Sequence, residues 1–212
     1  MKIHNVEQRS GAWYSLRMGV PTASDFSRAI TPKKGGLSTQ GVEYAAELAL
    51  EMFTGQPNED FGGTEWMDRG AGLEDEAIAQ YEMLYDVDVE RVGFITSDDG
   101  NRGCSPDGLV GDDGMIEVKC LKDKNHVKAL LNYSEFDEVD PKYTPQTQGQ
   151  MLIAERQWCD LLFYCPGMPL LPIRQYPDEA YVKSLDEALT EIIRLRDRAL
   201  ALLNGDKERK AA

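Results

Sequence analysis

The segment CSPDGLVGDDGMIEVKC, residues 104–120, constrains this chain more than any other stretch. Leu109–Val110 and Met115–Val118 are short apolar runs. Gly111–Asp112–Asp113–Gly114 between them has turn chemistry, so the segment reads as a β-hairpin. Asp107 stands at the base of one strand, and Glu117 and Lys119 at the base of the other. Strand alternation places Glu117 and Lys119 on one face, and Asp107 can reach that face from the neighbouring strand.

Two carboxylates and an ammonium at such a base are the parts of a hydrolytic metal site. Carboxylate oxygens suit Mg²⁺ or Mn²⁺, which keep several waters and accept phosphate oxygens as further ligands. A cation held there can polarise a phosphodiester and lower the pKa of an attacking water. A neighbouring lysine can orient or deprotonate that water, or neutralise charge developing in the transition state. A surface hairpin with an ordinary Glu–Lys pair has the same local pattern, so the triple alone does not decide between the two.

The flanking sequence predicts a mixed α/β or α+β domain with one central sheet covered by helices. Helices are expected over Gly11–Met18, stopped at Gly19, and over Thr22–Ile30 with Thr22 as N-cap. Further helices are expected over Thr39–Thr54, ended by Gly55, and over Glu65–Tyr85, interrupted near Gly70 and Gly72. Val87–Thr96 alternates as a single strand before the hairpin. Asp123–Leu131 and Pro145–Glu155 read as helices, and Cys159–Cys165 and Leu171–Tyr176 as strands. Val182, Leu185, Leu189, Ile192, Ala199 and Leu203 mark one face of a long last helix stopped at Gly205. The expected organisation is a single domain over 1–205 with a frayed tail at 206–212.

Charge is distributed unevenly. The chain carries a formal −14, which argues against a generic DNA-coating protein. Residues 1–34 nevertheless hold six basic and two acidic residues, a net of +4, leaving −18 on the remainder. A second basic patch lies at Lys119, Lys122, Lys124 and Lys128. Two positive islands on an acidic body suit a localised polyanion site, although a solvated face gives the same pattern. No apolar run has the length of a membrane span, and MKIHNVEQRS lacks a signal peptide's apolar stretch, so a cytoplasmic protein is expected. The four cysteines form no CxxC pair, and free thiols are expected.

The motifs together have a family likeness. SPDG followed by EVKC resembles the PD-(D/E)xK nuclease motif, with Pro106–Asp107 and Glu117–Val118–Lys119 as its two halves. WYSLRMGVPTAS at 13–24 resembles the opening motif of the lambda-exonuclease and viral alkaline exonuclease family. GAGLEDEA at 70–77 is similar to that family's glutamate-bearing helix, PQTQGQML at 145–152 to its Q-x-Q motif, and FYCPGMP at 163–169 to the strand and loop that follow. They occur in family order over roughly residues 9–170.

The resemblance implies a restriction-endonuclease-like fold and a role for each matched residue. Asp107, Glu117 and the Val118 carbonyl would hold the metal, Mg²⁺ or else Mn²⁺, and Lys119 would be the catalytic lysine. Glu74 would complete the metal site, with Glu76 as a rival. Arg17, Ser24 and Ser105 would hold a 5′-phosphate, using a guanidinium fork and two hydroxyls. Gln148, the second glutamine of Q-x-Q, would lie near the scissile end. Met67 aligns with a residue that wedges between terminal bases, but also reads as a core methionine beside Trp66. Lys33 and Lys34 would attract the duplex backbone. Trp13 is expected in the core, and His4 and His126 without a role.

The activity implied is 5′→3′ exonucleolysis of double-stranded DNA. Mononucleotides would be released, and a 3′ overhang left for a single-strand-annealing recombinase. The family assembles as a ring-shaped homotrimer around DNA, which implies the same here, in the bacterial host of a phage or prophage. The rivals are another nuclease of this fold, such as a structure-specific endonuclease or an iron–sulfur-bearing exonuclease, and a catalytically silent DNA-end-binding module. The cysteine spacing is not that of a cluster, and an intact Asp–Glu–Lys set speaks against the silent module.

Overall fold

The computed structural model describes residues 1–31, 38–57, 65–133 and 140–211, with the backbone alone for 65–71 and 206–211. The strands are β1 (Lys2–His4), β2 (Val89–Glu90), β3 (Phe94–Thr96), β4 (Gly103–Cys104), β5 (Gly108–Val110), β6 (Gly114–Cys120), β7 (Trp158–Tyr164) and β8 (Leu171–Gln175). The helices are α1 (Gly11–Arg17), α2 (Phe26–Ala29), α3 (Gly41–Thr54), α4 (Glu65–Tyr85), α5 (Asp123–Tyr133), α6 (Thr144–Ala154) and α7 (Glu179–Ala211).

The main sheet is mixed, in the order β2-β5-β6-β7-β8, and only β6 and β7 are parallel. Parallel neighbours need a crossover, and α5 and α6 supply it. Lying at the centre, β6 and β7 are buried on both faces, hence their nearly unbroken apolar runs. Met115 and Cys159 join a core with Phe26, Leu48, Leu185, Leu189 and Ile192 from α2, α3 and α7. Ile116, Val118 and Leu162 face the other way, onto Ala77, Ile78 and Tyr81 of α4.

The expected hairpin is present as β5 and β6, with Gly108 opposite Ile116 and Val110 opposite Gly114. The single strand expected over 87–96 is instead two strands in two sheets. β2 pairs with β5, whereas β3 joins a small sheet in the order β1-β3-β4. The break falls at Gly93, where a Cβ would stand 2.0 Å from the Val6 carbonyl oxygen. That close approach by the N-terminal segment is a tertiary demand invisible to local alternation.

Gly19 and Gly55 stop α1 and α3 as expected, at φ 71° and 66°. Gly70, Gly72 and Gly205 interrupt nothing, and α7 runs through Gly205 to Ala211, past the expected stop and into the expected tail. A glycine inside a helix costs about 1 kcal/mol against alanine, which long, otherwise favourable helices tolerate. Thr22–Ile30 is a 3-10 turn at Ala23–Asp25 followed by α2, and the Thr22 hydroxyl makes no capping bond. It accepts instead from the Arg17 guanidinium. No helix among the described residues is long and apolar enough to cross a membrane.

Candidate active site

β5 and β6 part company at their base. The last ladder bond there runs from the Asp107 amide to the Ile116 carbonyl, at 3.2 Å. Beyond it the Asp107 side chain takes over, and its Oδ2 accepts the Val118 amide at 2.6 Å. Ile116 and Val118 therefore present their polar backbone groups to the same edge, and alternation turns the Val118 carbonyl toward Asp107 as well. The Asp107 carboxylate thus lies on the edge of β6 toward which strand geometry directs the Val118 carbonyl.

Glu117 and Lys119 share the other feature the sequence predicts, a common face. Glu117 is buried, and its Oε1 accepts from Lys119 Nζ and from Gln146 Nε2, both at 2.6 Å. Its Oε2 accepts from Gln150 Nε2 at 2.7 Å, and Lys119 also donates to Gln146 Oε1 at 3.0 Å. Burial works against the Lys119 ammonium, but the Glu117 carboxylate outweighs it and raises the pKa above lysine's ordinary value. Lys119 is accordingly a fixed cation in this arrangement.

Gln146 and Gln150 replace Gln148 in this network. Residues two apart on a helix point roughly 200° away from each other, whereas residues four apart share a face. Gln148 faces away from the carboxylates: it donates to the Tyr176 carbonyl at 2.9 Å and accepts the Asp178 amide at 2.8 Å. The structure thus places Gln148, expected near the scissile end, apart from Glu117 and Lys119 and puts Gln146 and Gln150 beside them. The i, i+4 spacing of Gln146 and Gln150 was the signal that identifies the facing pair.

Glu74 approaches from α4. Its carboxylate pairs with Arg9 at 3.5 Å, and burial raises its pKa, with Glu117 adding to the rise. Glu76 lies elsewhere, accepting from the Tyr164 hydroxyl at 2.9 Å, so Glu74 is the helix acid near the hairpin base. Glu74 and Asp107 also line a groove of about 530 Å³ with Gln8, Arg9 and Arg91.

The carboxylates fit a hard divalent cation. Burial raises the Asp107 pKa well above the usual carboxylate range, and the charges of Glu117 and Glu74 raise it further. Gln150 Oε1 is buried beside Glu117 with no donor among the described residues, a suitable acceptor for a metal-bound water. Among the described residues no three His, Cys, Asp or Glu side chains are grouped so as to hold a metal ion by themselves, so a cation here would rely on fewer carboxylates, a carbonyl and waters. Two carboxylates, a carbonyl and waters are what Mg²⁺ commonly takes in place of an all-protein cage.

A second cluster adjoins the first. Arg17, the last residue of α1, donates through one nitrogen to Thr22 Oγ1 at 2.9 Å and Ser24 Oγ at 3.2 Å. Its guanidinium stacks 4.2 Å over the Trp13 ring, and Trp13 Nε1 donates to Ser105 Oγ at 2.9 Å. Burial lowers the Arg17 pKa, opposed by Asp25. The structure therefore brings Arg17, Ser24 and Ser105 together and adds Thr22 and Trp13. Trp13, expected in the core, is only half-buried and forms the floor under Arg17. Its place in the same motif as Arg17 was the available signal.

Lys33 and Lys34 lie outside the described residues, as does the Met67 side chain. His4 bonds Thr96 and His126 bonds the Pro169 carbonyl, both at structural positions. All four cysteines are free thiols.

The chain matches known proteins in both sequence and fold. Residues 12–157 match the YqaJ-like viral recombinase domain. An alkaline exonuclease from Laribacter hongkongensis, LHK-Exo, is 29% identical over 96% of this chain and 100% of its own, with a TM-score of 0.81. The same enzyme in complex with dAMP superposes with a TM-score of 0.80. A phage-related exonuclease from Haemophilus somnus 129PT shares the fold, with 15% identity over 87% of this chain and 96% of its own and a TM-score of 0.66. No curated protein sequence matches significantly.

Proposed function

Since this chain belongs to the YqaJ-like viral recombinase family, we propose that it is a Mg²⁺-dependent exonuclease that degrades double-stranded DNA from 5′ ends. The observation that carries the reading is the adjacency of two clusters. Asp107, Glu117 and Lys119 gather at the splay of the hairpin, and Ser105, in the wall of the Arg17 cluster, precedes Asp107 by two residues. Two residues span at most about 7 Å, the scale of one nucleotide step. A 5′-phosphate on Arg17, Ser24 and Ser105 would thus place the next phosphodiester at the carboxylates, and the product would be a mononucleotide. The dAMP complex of the Laribacter enzyme supports a product of that class.

In this reading Arg17 contributes a charged fork, and Ser24 and Ser105 contribute hydroxyls, to hold the terminal phosphate. Asp107, Glu117 and the Val118 carbonyl would hold the cation, with Glu74 completing its surroundings. Mg²⁺ or Mn²⁺, when bound, supplies Lewis-acid polarisation of the phosphate and a more acidic water. Lys119, kept protonated by Glu117, orients the attacking water and offsets charge on the transition state. Gln146 holds both Lys119 and Glu117 in place, which limits reorganisation during reaction.

The remaining features follow from the family likeness. A homotrimer would encircle the duplex with the basic residues of its N-terminal part toward the DNA, and Lys33, Lys34 and Met67 would meet the duplex. The 3′ single strand left behind would pass to a single-strand-annealing recombinase. The test compares linear and covalently closed circular duplexes in Mg²⁺. An exonuclease degrades the first and spares the second, and cleavage of the circle would favour an endonuclease.

A further inference from the structure

Two helices of this fold break their own apolar pattern at one position each. On α7 the buried stripe runs Leu185, Leu189, Ile192 and then Arg196, where an apolar residue is expected. On α3 it runs Tyr44, Leu48 and then Glu51. Arg196 is only 4% exposed and Glu51 only 8%. Burying charged groups is costly unless they are fully engaged, so both positions call for a partner that repays the cost.

Both reach the same residue. Glu51 Oε2 accepts the Gly19 amide at 2.8 Å, and Arg196 Nη1 donates to the Gly19 carbonyl at 2.8 Å. Gly19 sits at φ 71°, and a Cβ there would stand 2.2 Å from Met52 Cγ. Its peptide groups are therefore pinned on both sides, two residues after Arg17. Arg196 also donates through Nη2 to Asn101 Oδ1 at 3.0 Å. Asn101 lies in the turn that leads through β4 to Ser105. One buried guanidinium thus ties together the chain after Arg17 and the chain before Ser105.

We infer that Arg196 and Glu51 are positioning residues that hold the Gly19 turn and the Asn101 turn at a fixed separation, and so set the spacing of Arg17 and Ser105 for a terminal phosphate. The inference rests on the reading of Arg17, Ser24 and Ser105 as a 5′-phosphate pocket. Both side chains are buried and act through the backbone they hold. Their effect is on discrimination between end types, because only a terminal phosphate needs the guanidinium and both hydroxyls at once. Glu51 also acts on Arg17 by charge, favouring its protonated form.

The experiment measures binding of short duplexes with a 5′-phosphate or a 5′-hydroxyl end, in EDTA so that no cleavage occurs. The proteins are wild type, Arg17→Ala, Arg196→Met, Arg196→Lys, Glu51→Leu and Glu51→Gln. Wild type is expected to favour the phosphorylated end about tenfold, and Arg17→Ala to abolish the preference. Arg196→Met and Glu51→Leu should reduce it to about twofold or less, mainly through the phosphorylated end. Glu51→Gln keeps an oxygen for the Gly19 amide and should retain most of the preference. Arg196→Lys, lacking the fork that spans Gly19 and Asn101, should be intermediate and serves if Arg196→Met does not fold. A preference lost in Arg17→Ala but kept in Arg196→Met, Arg196→Lys and Glu51→Leu overturns the positioning role and leaves the pocket standing. Equal weakening of both ends in the variants overturns it too. A wild type with no preference overturns the pocket, and the positioning role falls with it.

Discussion

Asp107 and Val118 are eleven residues apart in sequence, yet the Asp107 carboxylate holds the Val118 amide at 2.6 Å. The bond stands where β5 makes no further ladder contact, and it ties the Asp107 carboxylate to the β6 backbone. A carboxylate used in this way keeps its other oxygen for a ligand while its position is set by the backbone. On the proposed reading structural and chemical roles coincide in one side chain, so Asp107→Asn is a better probe than Asp107→Ala. The amide retains the bond to Val118 and removes only the charge.

Lys119 provides the clearest separation of binding from chemistry. Its ammonium is engaged by Glu117 and Gln146 and is only partly exposed. Lys119→Ala should bind duplex ends in EDTA within a few-fold of wild type, while hydrolysis falls by about 10²–10³-fold, the scale of losing one aimed donor. Single-turnover cleavage alongside end binding checks this. Near-wild-type turnover would contradict the role assigned to Lys119.

The carboxylates make stability depend on pH, and on the proposed reading metal binding as well. Burial raises the pKa of both Asp107 and Glu74; Glu117 and Glu74 add to the rise at Asp107, while at Glu74 Arg9 opposes it and Glu117 adds to it. In the unfolded chain both titrate near 4. Between that value and the raised ones the folded state binds more protons than the unfolded, so these groups' contribution to stability falls as pH rises. A divalent cation competes with the same protons. The rise in melting temperature on adding Mg²⁺ should therefore be larger at pH 8 than at pH 5, and Asp107→Asn should flatten the difference. Equal shifts at both pH values in wild type would contradict it.

Gly149 separates Gln148 from Gln150 for a packing reason. A Cβ there would stand 2.2 Å from the Phe26 ring, so glycine is what lets α6 press against α2. Alanine is the better helix former by about 1 kcal/mol, yet overpacking a core typically costs about 1–3 kcal/mol. Gly149→Ala should thus lower stability in urea denaturation. A gain in stability would show that Phe26 yields freely.

The hairpin and the long helices were legible in the sequence because turn chemistry and apolar period are local. Glu117 and Lys119 were placed on one face by alternation alone. Three features were not legible. The split of 87–96 depends on Val6 approaching Gly93, two segments far apart in sequence. Gln148 was chosen by motif position, whereas helical phase selects Gln146 and Gln150. Arg196 and Glu51 interrupt apolar stripes, a visible anomaly, but their target is a backbone turn that only the tertiary structure brings near.

The central claim is a cation-dependent centre at Asp107, Glu117 and Lys119 that is fed from 5′ ends. It is tested most directly on a linear duplex labelled either at the 5′-terminal nucleotide or at the 3′-terminal nucleotide of the same strand. With Mg²⁺, wild type should release the 5′ label first, as a mononucleotide, and the 3′ label only after the strand is consumed. Asp107→Asn and Glu117→Gln should release neither. Early release of the 3′ label, a labelled oligonucleotide in place of a mononucleotide, or undiminished release in EDTA would contradict the account.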